Sequence, residues 1–179
     1  MTSHPRRKPE KSYTAAFAGT GELTLTPIGL VESPYRERFG VPRQGTLDGA
    51  GRGRIVLNPG ANFEQALQGV AGFDMLWVIY GFHLNSGWNP MVTPTRGPKV
   101  KRGLFATRAP HRPNPIGLTA VKILGIQGRT IEVEGLDILD GSPVYDLKPY
   151  IPYADAFPAA RSGWLDELPE GPTGPDRPS

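Results

Sequence analysis

Apolar and polar positions alternate with a period of two through much of the middle of this 179-residue chain, and helical spacing is rare. Leu23 to Val31 alternates well enough for a first strand, which Ser33-Pro34 ends. From Tyr35 to Gly53 the periodicity is lost among polar and glycine residues, and a long loop is expected. Arg54 to Leu57 reads as a strand. Pro59-Gly60 then turns the chain into Asn62-Phe63-Glu64-Gln65, an N-cap with Gln at the capping-box position, starting a short helix that Gly69 ends. Asp74 to Leu84 is the strongest strand, too β-branched and aromatic for a helix. Along it Trp77, Ile79, Gly81 and His83 share one face, and Leu76, Val78, Tyr80, Phe82 and Leu84 the other. His83 therefore emerges at the strand's end. Ile116 to Ile126 and Thr130 to Leu139, joined around Gln127-Gly128, read as a hairpin. Many strands against one clear helix predict a mainly β protein, a β-barrel or β-sheet core with small helices.

Length allows a single domain with a proper core. Residues 1–20 are polar and irregular and are expected to be a disordered tail; residues 161–179 read as an irregular C-terminal tail. There is no cysteine, so disulfides and thiolate metal sites are excluded. His4, His83 and His111 are too scattered for a local metal motif, and no metal is expected. No apolar run approaches the roughly 20 residues of a membrane helix, and the basic start has no apolar signal core behind it, so a cytoplasmic protein without membrane contact is the default expectation. Net charge is only +3, yet Arg96, Lys99, Lys101, Arg102, Arg108 and Arg112 fall in one short segment. Such a cluster is either a phosphate-facing patch for nucleic acid or a solvated loop between strands.

That basic cluster runs into the most informative stretch, Gly103-Leu-Phe-Ala-Thr-Arg108-Ala-Pro-His111-Arg112-Pro113-Asn114-Pro115-Ile-Gly-Leu118. Each proline fixes its own φ and pushes the preceding residue, Arg112 or Asn114, into extended geometry. Arg108, His111, Arg112 and Asn114 thus sit on a backbone with little freedom, as a site that must hold polar groups still requires. Gly49-Ala-Gly51-Arg-Gly53 has the glycine spacing of a dinucleotide or methyl-donor loop, but no buried strand precedes it and no helix follows. It is expected to be a flexible loop. Further on, Asp140-Gly141 signals a turn. Asp146 and Lys148 lie two apart, on one face if extended, and can pair with each other or contact a substrate.

Pro42-Arg43-Gln44, Phe105-Ala-Thr-Arg108-x-x-x-Arg112-Pro-Asn-Pro-Ile-Gly117 and Asp140-Gly-Ser-Pro-Val-x-Asp146-x-Lys148-Pro-Tyr150 together resemble the TsaA/TrmO family, over about Thr26 to Asp155. The resemblance implies a small closed or partly open β-barrel with one or two short helices, over residues 21–160. It implies S-adenosyl-L-methionine as methyl donor, and transfer to N6 of threonylcarbamoyladenosine beside the anticodon of tRNA. It also implies a homodimer with the donor near the subunit interface. Carried onto this sequence, the donor contacts are Pro42, Arg43, Gln44, His83, Leu84, Arg108, Leu118, Leu139, Asp140, Gly141 and Ser142. Substrate contacts are expected from Lys99, Lys101, Arg102, Arg112, Asn114 and Lys148. Asp146 and His111 are the candidates for a catalytic proton acceptor. Longer bacterial members carry a C-terminal domain after the barrel, whereas this chain stops at Ser179. Ala109-Pro110-His111 fills a gap where members vary. Two rival functions follow: methylation of a small molecule at the same donor site, or a donor-binding module without catalysis.

Overall fold

The computed structural model describes residues 21–37, 41–42 and 51–168. Six antiparallel strands close a barrel. They are β1 (Gly29–Glu32), β2 (Gly51–Leu57), β3 (Met75–Gly81), β6 (Ile116–Gln127), β7 (Thr130–Leu136) and β8 (Pro143–Pro149). Between β3 and β6 the chain leaves the barrel, and β4 (Met91–Val92) and β5 (Arg102–Gly103) pair as a separate two-stranded ribbon. Around the barrel the order is β1-β2-β7-β6-β3-β8, returning to β1. Among the described residues the helices are α1 (Phe63–Ala66), α2 (Pro152–Asp155) and three single 3-10 turns, Val70–Gly72, Leu104–Ala106 and Gly163–Leu165.

The period-two pattern builds the core. Val31, Ile55, Leu57, Leu76, Val78, Tyr80, Val121, Ile131, Val133, Leu136 and Val144 turn inward and are buried together, and such burial is the main stabilising term in folding. The interior is narrow enough to demand glycine at particular points. Opposite Tyr80 in the register stands Gly117, where an added Cβ would lie 2.3 Å from the Tyr80 ring. Burial, and secondarily the charge of Asp137, pushes the Tyr80 phenol pKa well up, so the ring enters the core neutral.

Several expectations needed correction. Gly51 to Gly53 is not a loop but the start of β2; a Cβ on Gly53 would stand 2.4 Å from both the Glu32 carbonyl and Leu136. Gly53 thus marks a close approach of the β1 backbone and Gly51 one of the Tyr35 and Pro34 side chains, whereas Gly49 lies outside the described residues. The first strand is shorter than Leu23 to Val31, because only Gly29–Glu32 finds ladder partners, and Leu23 stays exposed. Asn62 does precede α1, but with φ 53, and its side-chain amide bonds Gln65 Oε1 at 2.6 Å instead of capping a backbone N–H. The β3 strand stops at Gly81, not Leu84: the Phe82 N–H still meets the Pro115 carbonyl in register, but a proline has no N–H to return the bond, and the Phe82 carbonyl accepts the Asn85 N–H instead. Leu84, expected to continue the strand face of Leu76, Val78 and Tyr80, is consequently out in a turn and 71% exposed. The hairpin forms as expected, its second strand ending at Leu136. The tail of residues 1–20 lies outside the described residues.

Replacing Gly117 by Ala is expected to destabilise the protein by about 1–3 kcal/mol through overpacking against Tyr80. Gly125→Ala on the same strand, where the nearest atom would be 3.8 Å away, should stay within about 0.5 kcal/mol of the parent. Urea denaturation of the two variants checks the pair.

Candidate functional site at the barrel rim

The densest polar network lies where β1 ends and β8 begins. Turn 139–142 is closed by the Ser142 N–H on the Leu139 carbonyl (3.2 Å) and pinned from outside by two bonds, Asp140 N–H to the Tyr35 carbonyl (2.8 Å) and Gly141 N–H to the Val31 carbonyl (2.8 Å). Asp140 Oδ1 accepts the Ser33 N–H at 3.0 Å, and the Ser33 hydroxyl donates to the Ile138 carbonyl at 2.7 Å. Gly141 has φ +73 and is exposed, with nothing within 4 Å of an added Cβ. A ligand can therefore reach bare backbone there.

The two sides of this turn face different surroundings. On one side the Ser142 hydroxyl, buried to 2% exposure, meets His83 Nδ1 at 3.3 Å. On the other, Asp140 lines an open groove of about 530 Å³ together with Glu32, Ser33, Pro34, Arg36, Arg52 and Arg54. Of the expected donor residues that are described, Asp140 lines that groove; its walls carry the Arg54–Glu32 ion pair (2.6 Å), and Arg52 pairs with Glu134 (3.1 Å). The His83 side gathers more of the expected set.

His83 sits in a turn closed by Asn85 N–H on the Phe82 carbonyl (3.0 Å). Three bonds tie this loop to the proline-braced segment: Phe82 N–H to the Pro115 carbonyl (2.8 Å), Leu104 N–H to the Pro90 carbonyl (2.9 Å), and His111 Nδ1–H to the Ser86 carbonyl (3.3 Å). Rim turn, strand-end loop and rigid segment thus form one continuous unit. Within it Arg112 acts as an internal brace: its Nη1 donates to the Thr107 and Ala109 carbonyls, each at 3.2 Å, and its guanidinium lies 5.6 Å from the centre of the Phe105 ring. Arg108 and Asn114 are exposed, and Arg108 makes no hydrogen bond or ion pair among the described residues.

Leu118 projects from the outer face of β6, 56% exposed. The register sets Leu118, Ile79 and Asp146 in one row across β6, β3 and β8. With strands about 4.8 Å apart, Asp146 stands roughly 10 Å from Leu118 on the same face. Asp146 Oδ2 pairs with Lys148 Nζ at 2.8 Å, and its Oδ1 accepts the Leu147 N–H at 2.9 Å. In the basic cluster Lys99 and Lys101 are exposed, and the Arg102 guanidinium lies 4.5 Å from the centre of the Trp164 ring. Pro42 is half-buried; Arg43 and Gln44 lie outside the described residues. Sequence reasoning missed Ser33, taken only as a strand end, and Trp164, which lay in a stretch read as an irregular tail. Among the described residues no cluster of His, Asp or Glu is arranged to hold a metal, and no helix is long and apolar enough to cross a membrane.

A closed antiparallel barrel with its polar residues gathered on the rim and outer face is distinct in class from the doubly wound sheets that bind nucleotides at a switch point. A family profile described as "tRNA-methyltransferase O N-terminal domain" matches residues 30–156, and the chain belongs to that family. It is 38% identical over 149 residues to "tRNA (adenine(37)-N6)-methyltransferase" of Escherichia coli, covering 79% of this chain and 63% of that protein. It is 41% identical over 136 residues to "Probable S-adenosyl-L-methionine-binding protein" of Methanothermobacter thermautotrophicus, covering 76% of this chain and 96% of the relative. The crystal structure of TrmO from Pseudomonas aeruginosa superposes with a TM-score of 0.70 at 38% identity, over 83% of this chain and 65% of that one. The chain thus spans less than two thirds of the longer bacterial relatives it matches.

Asp140→Ala removes the acceptor of the Ser33 amide and is expected to cost about 1–2 kcal/mol of stability. Asp140→Asn, which keeps a carbonyl acceptor, should lose clearly less; chemical denaturation of both variants is the check.

Proposed function

We propose that this chain is an S-adenosyl-L-methionine-dependent methyltransferase that methylates N6 of threonylcarbamoyladenosine beside the anticodon in tRNA. The observation that carries the reading is the meeting of His83 and Ser142, 59 positions apart in sequence, at 3.3 Å on a rim bonded to the proline-braced segment. Family membership and the names of the relatives support both the donor and the acceptor.

The residues present suit such a donor. Gly141 offers open backbone for an adenine edge, the Asp140 carboxylate suits ribose hydroxyls, and the unpaired Arg108 guanidinium suits the amino-acid carboxylate. Leu84 and Leu118 give apolar contact beside them, and Leu139, Pro42, Arg43 and Gln44 complete the set. The donor, when bound, supplies an already activated methyl group. The protein's task is therefore to hold the acceptor nitrogen in line and to dispose of a proton. Two groups are suited to the proton. Asp146 is an outward carboxylate steadied by Lys148. His111 gives its Nδ1–H to Ser86, which makes Nε2 the acceptor nitrogen of the neutral ring.

Lys99, Lys101, Arg102, Asn114 and Lys148 form the surface for the RNA backbone, with Arg112 behind them as a brace. Ile116 and Leu118, 41% and 56% exposed, and Leu84 leave an apolar margin around the rim. A second copy of the chain covering that margin gives a homodimer with the donor near the interface. A tRNA substrate also implies a cytoplasmic protein.

Incubation with labelled S-adenosylmethionine and total tRNA from cells with and without the threonylcarbamoyl modification, followed by nucleoside mass spectrometry, tests the reading. Label is expected only in the threonylcarbamoylated nucleoside. No label in either pool, with donor binding intact by calorimetry, overturns it in favour of a small-molecule acceptor or a non-catalytic donor-binding module. Separately, Arg108→Ala should weaken donor binding by about 1.5 kcal/mol or more, roughly tenfold, if a charged hydrogen bond is lost. Unchanged calorimetric affinity in the folded variant removes Arg108 from the donor site.

A further inference from the structure

After the family-matched residues 30–156, the chain turns back onto the basic excursion between β3 and β6. The indole N–H of Trp164 donates to the Ala106 carbonyl at 2.8 Å. The same indole lies against the Arg102 guanidinium, 4.5 Å from its ring centre. Leu168 is buried to 8% exposure, and its Cδ2 lies 2.6 Å from where a Cβ on Gly97 would stand. Within a few residues, segment 163–168 therefore touches the excursion at its base, middle and tip.

The ribbon that carries the far end of the excursion has little structure of its own. Its ladder is two residues long, Met91 opposite Gly103 and Val92 opposite Arg102, and a ribbon that short does not hold its shape in water. Yet it carries Lys99, Lys101 and Arg102, charges that meet RNA phosphates in the proposed reaction. A guanidinium stacked on an indole keeps its ring of N–H donors at the edge, so stacking fixes its plane without occupying its hydrogen bonds. Ordering such side chains before the RNA arrives removes a cost that binding would otherwise carry.

We propose that segment 163–168 is a strap that pre-orders the basic excursion for RNA, and that Trp164 is its positioning residue. This inference rests on the reading of tRNA as substrate. It extends that reading to residues outside the family match.

The test uses the full chain and compares Trp164→Ala, Trp164→Phe and Leu168→Ala. The Ala variant is expected to raise the KM for tRNA by about fivefold or more, with kcat at saturating tRNA and calorimetric donor affinity unchanged. It should also lower the salt dependence of tRNA binding by about one phosphate contact and speed trypsin cleavage after Lys99, Lys101 and Arg102. Trp164→Phe, which keeps a ring under Arg102, should recover most of the KM; Leu168→Ala should reproduce the trypsin effect with the indole intact. An unchanged KM and an unchanged cleavage rate in Trp164→Ala overturn the strap, as does an equal fall in kcat and donor affinity, which would mark a general loss of structure. A wild type that binds tRNA without transferring methyl overturns the proposed reaction alone, because RNA binding and trypsin still read the strap. A wild type that binds no tRNA overturns both.

Discussion

Closing a barrel with a strand of four residues is the constraint from which the rest of this structure follows. Gly29–Glu32 pairs along its whole length with β2 but at only two positions with β8. So short a ladder is extended by further main-chain bonds, Val31 N–H to the Ser142 carbonyl (3.0 Å) and Gly141 N–H to the Val31 carbonyl (2.8 Å), and then by side chains. Just past the strand, the Ser33 amide bonds Asp140 and its hydroxyl bonds the Ile138 carbonyl, while the Tyr35 carbonyl takes the Asp140 N–H. The clasp that finishes closure is the same structure that presents turn 139–142. Fold and candidate site are therefore coupled through the same few bonds.

A second consequence is where a ligand can go. A barrel of about eight strands has an interior just wide enough for its side chains, and six leave less. Here the inside is so tight that glycine is needed beneath Tyr80 and against Glu32. Chemistry is therefore confined to the rim and the outer face. There the excursion between β3 and β6, too long for a connector, is bonded back to the strand-end loop and held by the residues after α2.

Much of this was legible in the chain, because period-two alternation reports burial directly: Leu76, Val78 and Tyr80 were assigned to one face and lie together in the core. The hairpin around Gln127-Gly128 was legible for the same reason. What was not legible depended on contacts between distant segments. Gly51 and Gly53 look like loop residues locally, and only the approach of Tyr35 and Pro34 to the first, and of Glu32 and Leu136 to the second, makes glycine a strand requirement there. Leu23 and Leu25 alternate correctly but find no ladder partner. In the candidate site, the proline-braced segment announced its stiffness in its own composition. The internal use of Arg112 could not be read, since the carbonyls it binds are set by the fold of that segment. Trp164 gave no signal because its partners lie some sixty positions away.

One small irregularity reaches further than its size suggests. Between Ile79 and Tyr80 the pairing of β3 with β8 skips a residue, so that Tyr80 faces Val144 and Ile79 faces Asp146, with Tyr145 unpaired beside Gly81. This bulge sets the parity of β8, turning Leu147 into the core and Asp146 outward to the row it shares with Leu118. Loss or gain of one residue between Ser142 and Asp146 would reverse that parity, burying the carboxylate and exposing the leucine. In this part of the chain the number of residues is itself under constraint, and related sequences are expected to vary here by substitution and not by length.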